Sequence, residues 1–159
     1  MRTQVMGIDP GDTTGLALYS PEAHVLVEVT SGTFWAMAER VRREWTQGRL
    51  ALVVIEDTRA LPIYERHNNK KLDRPRRDRL CRNVGRIDRD CALWAALCEE
   101  TGIPYRLVKP IKGGKWSADT LRGVTGFSGR TNQHGRDAAR LVWGVKPRLD
   151  EKPLLSEEA

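Results

Sequence analysis

The chain has 159 residues, 40% of them apolar and 30% charged, with a formal net charge of +6, which is the make-up of one globular domain and excludes a disordered or fibrous chain. Its longest apolar runs, Leu50 to Ile55 and the opening strand, fall far short of the roughly 20 residues a membrane span needs, and Met1-Arg2-Thr3-Gln4 leads into the chain without a signal-peptide pattern. The expected setting is therefore cytoplasmic and off the membrane. Cys81, Cys91 and Cys98 are odd in number, share one predicted helix and contain no CxxC pair, so they read as reduced thiols without zinc.

Val5, Met6 and Ile8 form a short buried strand that Pro10 and Gly11 stop, Pro10 by lacking a ladder N–H and Gly11 by permitting positive φ. Asp9 sits at the carboxyl end of that strand, where α/β sheets gather ligands and catalytic carboxylates. Gly15 to Ser20 makes a second strand, antiparallel to the first through the Gly11 to Thr14 turn, with Asp12 as a turn former. His24 to Thr30 makes a third, with Val25, Val27 and Val29 alternating against Leu26 and Glu28. Phe34, Met37, Ala38, Val41 and Trp45 then recur at helical spacing, and Gly48 ends that helix. Leu50 to Ile55 is too continuous for a half-exposed strand and reads as a parallel strand covered on both faces. Glu56 and Asp57 follow it as Asp9 follows the first, with Asp57 expected to be exposed and to point away from Glu56.

Residues 58 to 76, with Pro62, Pro75 and Asn68-Asn69, read as a long loop. From Arg77 a helix carries Leu80, Val84, Ile87, Cys91, Trp94 and Cys98 on one stripe and Arg79, Arg82, Arg86 and Arg89 on another, and Gly102 closes it. Ile103 to Val108 is a last strand, with Pro104 at its start. Lys109, Lys112 and Lys115 lie in a glycine-containing loop, Ser117 caps a short helix, and Gly123, Gly126 and Gly129 interrupt the stretch after it. A final helix from about Thr131 to Trp143 puts His134 and Asp137 on one face. Residues 1–146 form the domain and 147–159 a frayed tail.

Charge is concentrated. Ten basic residues between Arg66 and Asp90, namely Arg66, Lys70, Lys71, Arg74, Arg76, Arg77, Arg79, Arg82, Arg86 and Arg89, stand against four acids, so the whole surplus lies in that segment. Guanidinium forks match phosphate oxygens, and the natural partner is a polyanion. Two strand-end carboxylates, Asp9 and Glu56, together with Asp137 and His134 on a helix, make an oxygen-rich set suited to Mg²⁺ or Mn²⁺ rather than zinc. Two such ions roughly 3.5 to 4 Å apart can activate water and stabilise the leaving oxygen of a phosphodiester. Without a cation, clustered carboxylates repel one another and hold their protons.

Gly7-Ile8-Asp9-Pro10-Gly11 with Thr14-Gly15, then Val54-Ile55-Glu56, Val84-Gly85-Arg86-Ile87, Pro110 and Lys112, and His134 to Asp137 followed by Ala138 resemble, in order and spacing, the RuvC-type Holliday junction resolvases of the ribonuclease H-like superfamily. The resemblance spans roughly residues 4 to 144. It implies an α/β fold with a five-stranded mixed sheet, the first three strands antiparallel, flanked by helices. It implies a homodimer that cuts branched DNA by divalent-metal hydrolysis, with Asp9, Glu56 and Asp137 as metal carboxylates and His134 at a position that holds Asp or His. The helix from Arg77, with Arg77, Arg79, Arg82 and Arg86, matches one that the family uses in dimer contacts and around DNA, and Lys109, Lys112 and Lys115 lie where the family has DNA-contacting lysines. Lys70, Lys71, Arg74 and Arg76 join the expected nucleic-acid surface through the charge surplus of their segment. The short turn from Asp9 to Gly15 is closer to bacteriophage-type members. After Glu56, where bacterial members carry an aromatic, this chain has Asp57-Thr58-Arg59 and a basic insertion whose one aromatic is Tyr64.

Three other readings compete. An actin-like or sugar-kinase phosphotransferase shares the Gly-Ile-Asp-Pro-Gly hairpin but needs two such domains. A non-catalytic nucleic-acid-binding module would not need Asp9, Glu56 and Asp137. A ribonuclease H-like RNA-processing nuclease uses the same chemistry, because backbone contacts carry little strand identity.

Overall fold

The computed structural model describes residues 1–61 and 72–148. Five strands, β1 (Gln4–Asp9), β2 (Thr14–Ser20), β3 (Val25–Gly32), β4 (Leu50–Glu56) and β5 (Tyr105–Val108), form one sheet in the order β3-β2-β1-β4-β5. The β1–β2 and β2–β3 pairs are antiparallel, and β4 lies parallel to both β1 and β5. Among the described residues four α-helices flank it: α1 (Phe34–Thr46), α2 (Arg74–Thr101), α3 (Ala118–Thr125) and α4 (Gln133–Val142), with a 3₁₀ turn at Thr58–Ala60. The expected mixed sheet with three leading antiparallel strands is the sheet observed. Lys70, Lys71 and Tyr64, the Pro62 and Asn68-Asn69 portion of the expected loop, and the tail from 149 onward lie outside the described residues. Among those that are described, no helix is long and apolar enough to cross a membrane.

Strand parity divides the core. Met6, Ile8, Leu16, Leu18, Val53 and Ile55 face α1 and α2, where Met37, Val41, Trp94 and Cys98 meet them. Val5, Ala17, Tyr19, Leu52 and Val54 face α3 and α4, where Leu121, Ala138, Ala139 and Val142 meet them. Side chains alternate along a strand, so Asp9 continues the Val5-Gly7 row and Glu56 the Leu52-Val54 row. Both carboxylates therefore end on the α4 face. Because Gly7 pairs with Val54 and Ile8 with Ile55 in parallel register, Asp9 and Glu56 also end level with each other.

The seat of α4 is unusually close. A Cβ on Gly15 would stand 1.9 Å from the His134 carbonyl oxygen, and one on Gly7 would stand 2.3 Å from that of Ala138. Gly135 answers from the helix side, where a Cβ would meet the Thr30 carbonyl at 3.0 Å. Asn132 caps the helix by accepting from the Gly135 N–H at 3.0 Å, so the turn carrying His134 is held at both ends.

Four sequence expectations need correction. In β3 the register shifts between Leu18, opposite Glu28, and Tyr19, opposite Leu26. Val27 is thus an extra residue, and Leu26 and Val29 face the same core while Val25 and Val27 are exposed. This is the parity change a β-bulge produces. The helix expected from Arg77 starts at Arg74, because the Asp73 side chain accepts from the Arg76 N–H at 3.0 Å and Pro75 falls in the first turn, where its missing N–H costs nothing. Asp57 does turn away from Glu56 but is buried, capping the 3₁₀ turn and accepting from Arg59 Nε at 2.8 Å. Finally, Gly123 sits inside α3, and it is Gly126, at φ +76°, that ends the helix.

Gly15→Ala should lower the melting temperature by about 6 °C or more, since overpacking against a backbone carbonyl costs about 1–3 kcal/mol. Gly85→Ala, on α2 with nothing within 4 Å of the added Cβ, should raise it by about 2–3 °C through helix propensity alone. Thermal denaturation of the two variants beside the parent chain checks both signs.

Candidate active site

Asp9, Glu56, His134 and Asp137 line one cleft of about 620 Å³, and Asp12, Asn83, Arg86, Lys115 and Arg140 share its walls. The cleft opens at the end of the sheet where β1 and β4 finish. Its floor is the turn after β1, one wall is α4, and the facing wall is α2 through Asn83, Arg86 and Ile87. The chain thus brings Asp9 together with Asp137, 128 positions further on.

His134 Nδ1 lies 3.3 Å from Asp9 Oδ2, with the His134 side chain half exposed and that of Asp9 13% exposed. One turn along α4, Asp137 Oδ1 accepts from Gln133 Nε2 at 2.6 Å, and Asp137 Oδ2 lies 3.4 Å from Lys115 Nζ. Glu56 is fixed from behind, because Cys91 Sγ of α2 donates to its carbonyl oxygen at 3.4 Å. Burial pushes the Asp9 carboxyl up to about 6 from an ordinary 3.8, against the lowering effect of the His134 hydrogen bond and with the repulsion of Asp137 added. Burial likewise pushes Glu56 up to about 7 from 4.5, followed by repulsion from Asp9 and Asp137.

The carboxylates share the cleft without closing on a common point, and among the described residues no three His, Cys, Asp or Glu side chains converge as a ready-made ligand set. The donor set, three carboxylates and one imidazole with two acids carrying raised proton affinities, fits a hard divalent cation, whose charge would return both acids to the ionised form.

The expected cationic residues divide by position. Arg86 and Lys115 line the cleft, Arg86 lying 3.9 Å from Asp12. Arg74, Arg76, Arg77, Arg79 and Arg82 are exposed along the first turns of α2, outside the cleft. Lys109 and Lys112 are exposed on the loop after β5 and do not line the cleft. Sequence reasoning missed Gln133, Arg136 and Arg140. Their spacing around Asp137 on one helix was the available signal. Cys81 is exposed and Cys91 and Cys98 are buried, all three as free thiols.

No family model matches the chain, and no curated protein matches its sequence. Among solved structures, T. thermophilus RuvC in complex with Holliday junction substrate superposes with a TM-score of 0.55 at 18% identity, over 89% of this chain and 90% of that one. The likeness is one of fold.

Unfolded, Asp9 and Glu56 ionise near 3.8 and 4.5; folded, they keep their protons to about 6 and about 7. Between about pH 4 and pH 7 the folded state binds more protons, so their contribution to stability falls as pH rises through that window and levels off above it. Glu56→Gln removes one of the two, and in chelator its melting temperature should exceed that of the parent by about 3 °C at pH 8, with little difference at pH 4. Denaturation scans across that range test this, and a pH-independent gap would contradict it.

Proposed function

We propose that this chain is a divalent-metal-dependent endonuclease that resolves four-way or other branched DNA junctions by paired phosphodiester hydrolysis, acting as a homodimer and nearer to the bacteriophage-type than to the bacterial RuvC-like enzymes. One observation carries the reading: β1, β4 and α4 deliver Asp9, Glu56 and Asp137 to one cleft flanked by Arg86 and Lys115. The fold shared with a protein solved on a Holliday junction supports the choice of substrate.

Asp9, Glu56 and Asp137 would hold Mg²⁺ or Mn²⁺, two ions in all, with His134 as a further ligand or a general base. Bound there, the ions would supply activation of water and neutralisation of charge on the scissile phosphate. Gln133 keeps the Asp137 carboxylate turned toward the cleft, and His134 does the same for Asp9. Arg86 and Lys115 are cations at the cleft wall, beside Asp12 and Asp137, and would be positioned to meet a phosphate there.

Outside the cleft, Arg74, Arg76, Arg77, Arg79 and Arg82 extend the cationic surface along α2, and Lys109 and Lys112 extend it beyond β5. Lys70 and Lys71 belong to the same proposed surface by sequence alone. Leu80 and Val84 stay half-buried on the apolar stripe of α2 where it has left the sheet, a surface suited to a second copy of the chain.

Labelled four-way junction, linear duplex and RNA hairpin incubated with the protein and Mg²⁺ should yield paired nicks on the junction alone, lost with chelator and reduced at least about 1,000-fold by Asp9→Asn. Junctions left intact under every metal condition would end this reading, and cleavage of the hairpin alone would move it to RNA. Replacing Arg79, Arg82 and Arg86 together by Glu should weaken junction binding and flatten the dependence of log K on log[salt] by about 3. An unchanged slope would remove the arginine stripe from the DNA surface.

A further inference from the structure

The loop between β5 and α3 contains Lys112-Gly113-Gly114-Lys115, a sequence with two glycines and little side-chain packing to fix its path. Free, it would lose more backbone entropy on ordering than almost any other segment of this length. It is nevertheless tied at alternate carbonyls. Arg140 Nη2 donates to the Lys112 carbonyl at 3.1 Å and Arg140 Nη1 to that of Gly114 at 3.0 Å. Arg136 Nε donates to the Trp116 carbonyl at 2.9 Å. Between the two carbonyls that Arg140 bridges, Gly113 takes a φ of +108°, a conformation closed to L side chains.

Lys115 stands between the last two anchored carbonyls, those of Gly114 and Trp116, and its Nζ lies 3.4 Å from Asp137 Oδ2. Arg136, Asp137 and Arg140 all belong to α4, at positions one and three residues apart. One helix therefore supplies both a cleft carboxylate and the clamp that brings a cation to it. Arg136 is itself braced, its Nη1 donating to the Thr131 carbonyl and its Nη2 to Gln133 Oε1, each at 3.1 Å.

We propose that Arg140 is a positioning residue: its guanidinium fork bridges the Lys112 and Gly114 carbonyls and so holds Lys115 at the phosphate-facing wall of the cleft. The assignment rests on the reading of the cleft as a phosphodiester-hydrolysing site. It gives Arg140 a role beyond that of a cation in the cleft lining, because one N–H of each terminal nitrogen is engaged with a backbone oxygen of the loop. A planar fork spans the two carbonyls from two nitrogens in a fixed geometry, and a lysine in its place keeps the charge on a single ammonium nitrogen without that span.

The test uses the full chain and three single variants, Arg140→Lys, Gly113→Ala and Lys115→Ala, with the Arg140→Lys/Lys115→Ala double variant. Amide hydrogen exchange over residues 112–116 should speed up about tenfold or more in Arg140→Lys and in Gly113→Ala, while exchange in β1 and β4 and the melting temperature stay near the parent values. In junction cleavage with Mg²⁺, both variants should lose activity to the extent Lys115→Ala does, and the double variant should be no slower than Lys115→Ala alone. Parent-like exchange and cleavage in Arg140→Lys would overturn the proposal, as would a double variant whose loss is the product of the single losses. If the parent chain cuts no junction, the proposed function fails, and the exchange rates still decide whether Arg140 clamps the loop.

Discussion

Helix α4 lies on the sheet at backbone distance, and the place of every group in the cleft follows from that contact. Where Gly7 and Gly15 stand, a methyl group would overlap the carbonyls of Ala138 and His134. Any side chain there would lift the helix by more than the slack of a hydrogen bond, since packed interiors transmit such displacements rather than absorb them. Asp137 would move with it, and so would the loop that Arg136 and Arg140 hold. The glycines of the opening stretch thus set the helix height, and the helix height sets the site.

On this rigid frame the electrostatics are deliberately unbalanced. Asp9, Glu56 and Asp137 face one cavity, and burial with mutual repulsion raises the proton affinity of the first two. Elsewhere the chain handles buried charge differently: Glu44, almost wholly inaccessible, is paired with both Arg40 and Arg49, and its carboxyl is held below the ordinary range, chiefly by the Arg49 hydrogen bond. The contrast separates a structural acid, satisfied within the fold, from acids left in want of a cation. Stability withheld at a strained site is a common mark of function.

Much of this was legible in the sequence because it depends on period. The parity that sets Asp9 and Glu56 on one face follows from strand alternation, and the three-residue step from His134 to Asp137 follows from the helix. What escaped were features that local pattern does not encode. The extra residue at Val27 shows only in the pairing with β2. Pro75 signals a loop until Asp73 is recognised as the cap that makes a proline in the first turn favourable. Asp57 reads as exposed because its burial depends on the 3₁₀ turn folding back. The bonds from Arg136 and Arg140 to the loop span 20 to 28 residues, and nothing in the spacing of the loop names its partner.

Helix α2 gives the cleft its other wall, and its two halves have different physical tasks. From Cys91 to Cys98 it buries Trp94, Ala95 and Leu97 against the sheet. From Arg74 to about Asp90 it keeps its helical course while its side chains are mostly exposed, arginines prominent among them. At 28 residues it is about 42 Å long, so the buried half is a footing from which the other half extends. The junction of the two lies at the cleft, where Asn83, Arg86 and Ile87 face the site and Cys91 touches the backbone of Glu56. One helix thus carries the exposed arginines at one end and touches the strand end that bears Glu56 at the other, while the strapped loop sets Lys115 beside Asp137.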